Sequence, residues 1–342
     1  NKIFCQNITK MKENEIKIAF IGAGRMGMTH VRNLATLTGV KVSVIADVNL
    51  ETAKAAQALA RAERASDDIP GAITAKDVDA VVIATPTGTH AALIEAAVRA
   101  GKPVWCEKPI ALDLDETTRV VDVIRQTSVP VQLGFMRRFD PGYAAAKRKI
   151  ESGEIGRVER FRAISCDFTP PPLSFIKGSG GIFVDMLVHD FDLARFLVGE
   201  VDEVSAWGAA LVDPGFAEAG DVDSAVAMLR FKNGALGVIE GSRRTTWGYD
   251  IRTEIAGSKG KLIVEGFPKT PLVHERNLGM ESDHFVSFPD RFDAAYKAEL
   301  QAFFDCIRAG KTPTPGPDDA LESLRVALAA TRSLKEGRPV KV

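Results

Sequence analysis

The sequence predicts an α/β fold in two parts. A doubly wound, parallel sheet comes first, and an α+β domain built on a large, open, mainly antiparallel sheet follows. Three observations carry this expectation. The first third alternates short, fully apolar runs with segments of helical spacing, as strands buried on both faces and joined by crossover helices should. A glycine turn, Gly22-Ala23-Gly24-Arg25-Met26-Gly27, stands between the first such run and the first such helix. After about residue 135 the apolar residues alternate with period two between glycine-containing turns, which suits strands with one face on a core.

In order, Ile16–Ile21 reads as a first strand, residues 25–37 as a helix with Met26, His30, Leu34 and Leu37 in helical spacing, and Val42–Ala46 as a second strand. An Ala-rich helix over 50–62 and a strand over Ala80–Ala84 are expected next. Thr85-Pro86-Thr87 caps a helix running to Arg99; a strand at Pro103–Trp105, a helix over 113–127 and a strand at Val131–Gly134 close this part. Past the basic turn Met136–Pro141 come a helix and an alternating strand over Val158–Ile164. Further strands are expected at 203–212, 222–231, 235–243, 250–256 and 261–264, with helices at 181–197, 293–309 and 317–335.

Length and composition bound the function. A chain of 342 residues, 45% of them hydrophobic, can bury two cores, placed at 1–134 and 135–342. Lys+Arg 44 balance Asp+Glu 45 without a basic tract, which argues against a nucleic-acid partner. No apolar run approaches the roughly 20 residues of a membrane span, and residues 1–14 are too polar and lysine-rich for a signal peptide. A cytoplasmic protein is therefore expected. Residues 1–10 precede Met11 and are set aside as an extension outside the fold. Cys5, Cys106, Cys166 and Cys306 are too dispersed for a C-x-x-C site and too few for a disulfide scaffold, so reduced thiols are expected.

The glycine turn lies between a strand and a helix, where a dinucleotide pyrophosphate binds. Gly22 allows the tight turn, Gly24 lets phosphate approach the backbone, Gly27 lets the helix pack closely, and Arg25 and Met26 open the helix. Asp47 follows the second strand at the spacing of a carboxylate that accepts both ribose hydroxyls and repels a 2′-phosphate, which points to NAD. Thr85, Pro86, Thr87 and His90 rim the same strand-end crevice and are candidates for the nicotinamide side; helix capping alone is the rival reading. Lys108, between a buried strand and Pro109 and next to Glu107, is the candidate cation. Asp185, His189 and Asp192 stand at i, i+4 and i+7 on one helix face, a polar stripe among apolar residues. A satisfied structural network or a zinc site would explain the stripe too, but no cysteine or third histidine lies near in sequence, and no metal is expected.

Gly22–Gly27, Glu107-Lys108-Pro109, Gly180–Met186 and His189-Asp190-Phe191-Asp192 together resemble the glucose-fructose oxidoreductase / inositol dehydrogenase / rhizopine-catabolism family over nearly the whole chain. Gly134–Asp140, Gly178–Gly181, Trp247–Asp250 and Tyr296–Leu300 make it most similar to the bacterial inositol dehydrogenases. The resemblance implies a Rossmann NAD-binding domain and oxidation of a secondary hydroxyl of a cyclic polyol or sugar, myo-inositol to its 2-keto form above all. Trp247, Ile251 and Leu187 depart from the inositol-acting pattern, which has tyrosine, glutamine and a polar residue there. Another pyranose, a sugar derivative or an NAD-dependent glycoside cleavage therefore stays open, with a non-catalytic NAD-binding regulator as the remote alternative. Oxidising an alcohol needs a base at its O–H. The resemblance gives that role to His189, oriented by Asp185, with Lys108 donating to the same oxygen and joining the cofactor site with Glu107. It also implies a cis Lys108–Pro109 bond, substrate contacts from Arg138, Asp167 and Tyr249, and a homo-oligomer, dimer or tetramer.

Overall fold

The computed structural model describes residues 15–266 and 268–342; the expectation for residues 1–10 lies outside them. Its first sheet has six parallel strands, β1 (Ile16–Ile21), β2 (Val40–Ala46), β3 (Arg64–Ser66), β4 (Ala80–Ile83), β5 (Val104–Cys106) and β6 (Val131–Leu133), in the order β3-β2-β1-β4-β5-β6. The order reverses between β1 and β4, which opens a crevice at the carboxyl ends of those strands. The crossovers are α1 (Arg25–Leu34), α2 (Leu50–Ala60), α3 (Ile69–Thr74), α4 (His90–Arg99) and α5 (Leu114–Thr127). The central strands β4 and β5 are apolar throughout, and every residue of both is buried, as suits strands covered by helices on both faces.

The second part carries α6 (Pro141–Glu151), β7 (Val158–Cys166), the single turns α7 (Leu173–Ile176) and α8 (Ile182–Asp185), α9 (Val188–Leu197), β8 (Val201–Ala209) and α10 (Gly215–Glu218). Then come β9 (Ser224–Phe231), β10 (Leu236–Ser242), β11 (Asp250–Gly257), β12 (Gly260–Val264), the hairpin β13 (His274–Arg276) and β14 (Gly279–Glu281), α11 (Phe288–Arg308), α12 (Pro317–Glu336) and β15 (Val340–Lys341). The seven-stranded sheet runs β12-β11-β7-β10-β9-β8-β15. Only β10 and β7 pair in parallel within it, so it is mainly antiparallel as expected. Along β9 the residues alternate strictly, with Ala225, Ala227, Leu229 and Phe231 buried.

The chain divides into two compact units. One runs through Met136 and includes Ala294–Glu322; the other comprises Arg137–Asp293 and Ser323–Val342. The segment Ala294–Glu322, counted by the sequence reading with the second part, thus belongs to the first. Its Leu300, Phe303, Phe304 and Ile307 are in the same core cluster as Ile18, Phe20, Val82 and Trp105. The chain leaves the second unit within α11, next to Phe292, whose φ −115° and ψ 17° break the helix.

The expected helix over 181–197 is two pieces. Leu187 N–H donates to Ile182 O, five residues back, at 2.9 Å, and α9 restarts at Val188. One wide turn therefore intervenes between Asp185 and His189, a π-type irregularity of the kind that often falls at functional positions.

Candidate active site

The first unit's site grows from the β1–α1 turn. Gly22 has φ +93°, and a Cβ there would lie 2.7 Å from Thr85 Cγ2. At Gly27 a Cβ would fall 2.0 Å from Gly22 O, so the helix packs on the loop backbone to backbone. Gly24 is different: nothing lies within 4 Å of its Cβ position, and no side chain caps the start of α1. The first-turn N–H groups of Arg25 and Met26 and the positive end of the helix dipole thus meet an opening suited to a pyrophosphate. Asp47 stands beside the loop, its Oδ2 accepting from Ala23 N–H (2.8 Å) and its Oδ1 from Asn49 N–H (2.9 Å). A carboxylate held there fits a ribose diol and opposes a 2′-phosphate.

Across the switch point, Thr85-Pro86-Thr87 follows β4. Thr89 Oγ1 donates to Thr85 Oγ1 (2.7 Å). His90, 1% exposed, places Nε2 2.8 Å from Thr85 O and Nδ1 2.7 Å from Pro109 O. Both ring nitrogens lie within hydrogen-bond distance of backbone carbonyls, so His90 links the Thr85 turn to the Lys108 turn.

Lys108 leaves the carboxyl end of β5, half-buried, and the Lys108–Pro109 bond is cis. Glu107 shapes its backbone: Oε2 accepts from Lys108 N–H (3.2 Å), and Oε1 lies 2.7 Å from His30 Nε2. Burial pushes the Glu107 carboxyl up, but the bond to His30 and the positive charges nearby outweigh it and hold the group below the usual carboxylate range. His30 itself, on α1, is fully buried edge-on to Trp105 (4.6 Å) and Tyr296 (5.4 Å). Sequence reading counted His30 only as part of the apolar spacing; its place three residues after Gly27 was the available signal.

In the second unit, β7 and its parallel neighbour β10 end together where β11 begins, Cys166 facing both Ser242 and Asp250. Asp167, Arg243 and Tyr249 therefore gather at one end of the sheet. Asp167 N–H donates to Ser242 O (2.9 Å). Tyr249 is 4% exposed, its ring edge-on to Phe292 at 6.4 Å, and burial raises its hydroxyl above the usual tyrosine value. Asp185, the last residue of α8, takes a bond from Arg243 Nη1 at 2.9 Å. His189 is half-buried in the first turn of α9.

Arg138 and Asp192 are paired with each other. Arg138 Nε and Nη2 grip Asp192 in a bidentate pair (2.8 and 2.7 Å), which Ser323 also joins at 3.3 Å. The guanidinium lies over the Phe196 ring, 4.8 Å from its centroid, and the side chain is 8% exposed, so the pair is a buried one. Of the three departing positions two are core: Leu187 is fully buried, packed where a Cβ on Gly241 would be, and Ile251 is 2% exposed, whereas Trp247 is exposed.

A dinucleotide loop with a lysine turn, followed in the chain by an α+β unit bearing an aspartate and a histidine on adjoining helices, defines a nicotinamide-dependent oxidoreductase. Residues 16–135 match the oxidoreductase family's NAD-binding Rossmann fold, and residues 147–342 match its C-terminal alpha/beta domain. The chain belongs to the glucose-fructose oxidoreductase / inositol dehydrogenase / rhizopine-catabolism family, and the expected fold and cofactor stand with it. It is 39% identical over 332 residues to the scyllo-inositol 2-dehydrogenase (NAD(+)) of Bacillus subtilis strain 168, covering 96% of this chain and 97% of that one. It is 39% identical over 329 residues to the myo-inositol 2-dehydrogenase of Thermotoga maritima, covering 96% and 98%. Among solved structures, the scyllo-inositol dehydrogenase of Lactobacillus casei with bound NAD(H) and scyllo-inositol superposes with a TM-score of 0.91 at 33% identity, covering 96% of this chain and 99% of that one.

Proposed function

We propose that this chain is an NAD-dependent inositol dehydrogenase that oxidises one secondary hydroxyl of the ring, myo-inositol to its 2-keto form. The observation that carries the substrate is the end-to-end similarity to relatives named for myo- and scyllo-inositol. When bound, NAD supplies the acceptor for the hydride that leaves the alcohol carbon. The rest falls to side chains. His189 takes the hydroxyl proton, Asp185 orients the imidazole and stabilises it once charged, and Lys108 donates to the oxygen as negative charge develops there. Asp167 and Tyr249 are assigned to neighbouring hydroxyls. The buried, apolar Leu187 and Ile251 favour a second reading with the same chemistry on another pyranose. A panel of myo-inositol, scyllo-inositol and common aldoses with NAD, followed by NADH absorbance, separates the two. Turnover of an aldose well above both inositols would overturn the inositol assignment.

The outer face of the second unit's sheet carries Trp207 (54% exposed), Met228 (48%) and Leu236 (58%), apolar residues on neighbouring strands. This supports assembly into a dimer or tetramer through that face. Light scattering that finds a monomer at micromolar concentration would contradict it. A cytoplasmic location is supported by the free thiols Cys106, Cys166 and Cys306. Among the described residues no helix is long and apolar enough to cross a membrane.

A further inference from the structure

We propose that Arg243 is a positioning residue for the reaction: it fixes the orientation of the Asp185 carboxylate, with Asp221 as its second anchor. The inference rests on the reading of Asp185 as the partner of His189. Arg243 follows β10 directly, and its backbone N–H donates to Asp223 O (2.8 Å). Its side chain is 1% exposed and lies over the Phe216 ring, 5.9 Å from the centroid. Nη1 donates to Asp185 Oδ2 at 2.9 Å and Nη2 to Asp221 Oδ2 at 3.4 Å. Asp221 Oδ1 in turn accepts from the N–H of Ile182 (3.1 Å), the first residue of α8. One guanidinium thus ties the end of a sheet strand to both ends of the turn that presents Asp185.

The turn needs such an anchor. With four residues, α8 is too short to hold its own geometry, and the chain leaves it through the wide turn at Leu187. Sheet strands are the rigid part of the unit, and a fork of N–H donors on one of them fixes a carboxylate in direction as well as distance. Exposure shows which way the cluster opens: Arg243 is 1% exposed, Asp221 11% and Asp185 22%. The bond engages Oδ2 of Asp185.

The test is a cycle of single and double variants, read by steady-state kinetics with myo-inositol at saturating NAD, with NAD affinity measured calorimetrically. Arg243→Lys keeps a charge but loses the fork, and kcat should fall about tenfold to a hundredfold, as misplacement of a supporting group does, with NAD affinity and the KM for inositol little changed. In an Asp185→Asn background the same substitution should cost almost nothing further, since the two residues act as one unit. Asp221→Asn, which keeps Arg243 and its packing, should lower kcat several-fold and lose that effect in the same background; it carries the test if Arg243→Lys does not fold. Parent-like kcat in Arg243→Lys, or losses that multiply in the double variant, would reduce Arg243 to a structural role. Parent-like kcat in Asp185→Asn alone would instead sink the reading of Asp185, and the positioning role with it.

Discussion

Two glycines of one loop should fail in different ways. Replacing Gly27 with alanine adds a methyl inside α1, where alanine is favoured over glycine by about 1 kcal/mol. The Cβ, however, would sit 2.0 Å from Gly22 O, against ordinary carbon–oxygen contacts of roughly 3.3–3.6 Å. Helix and loop must separate by more than about 1 Å, and overpacking of that kind costs about 1–3 kcal/mol. The clash outweighs the propensity gain, so Gly27→Ala should lower Tm and, by shifting the phosphate-facing N–H groups, weaken NAD binding about tenfold to a hundredfold. Gly24 sits at φ −69°, which alanine accepts, and its Cβ position is open. Gly24→Ala should leave Tm unchanged yet weaken NAD about tenfold or more, because the methyl occupies space meant for phosphate. Thermal melts and calorimetric NAD titrations on the same preparations decide the matter. A Gly27→Ala variant with parental Tm and affinity would refute the close packing, and a Gly24→Ala variant with parental affinity would put the phosphates elsewhere.

Asp47→Ala should weaken NAD and relieve the bar against NADP; tighter binding of NADP than NAD by the parent would overturn the cofactor assignment. His189→Ala should cut kcat by roughly 10² to 10⁴ with NAD affinity almost unchanged, and a folded variant with near-normal turnover would remove His189 as the base. Arg138→Met strands the buried Asp192 carboxylate and should cost about 3–5 kcal/mol in denaturant unfolding; a raised KM with intact stability would assign Arg138 to the substrate site. Because Glu107 is held below its ordinary value of 4.5, its contribution to stability is present above that pH and is lost as pH falls through the lower folded value. The Tm gap between parent and Glu107→Gln should therefore narrow on acidification, and a gap that widens would contradict the His30–Glu107 pairing.

What the sequence made legible is local. Strand–helix alternation, the glycine loop, Asp47 just past β2 and Lys108 just past β5 all follow from spacing within a few turns of chain. The pairings that set side-chain direction join residues far apart: His30 with Glu107, Arg138 with Asp192, Arg243 with Asp185. A single sequence carries no distance between such residues, so the pairing of Arg138 with Asp192 and the place of Arg243 went unnoticed. The break at Leu187 was hidden for a related reason. Apolar residues continue through it in helical spacing, while the wide turn accompanies the packing of Leu187 on Gly241. The hairpin of β13 and β14 is exposed at every position and so has no apolar alternation to announce it.

The return of Ala294–Glu322 to the first unit has a consequence for how this protein is made. The aromatic residues Phe303 and Phe304 fill a core whose other walls are β1, β2, β4, β5 and the helices α1 and α2. Residues up to Leu133 complete the six-stranded sheet, yet a ribosome that has just released them has not produced the side chains that close that core. The nucleotide-binding unit is finished only after residues 137–293 of the second unit have emerged. Cutting the gene after the sixth strand would yield a sheet with an open apolar face, prone to aggregate, and a soluble cofactor-binding fragment would need Ala294–Glu322 grafted back.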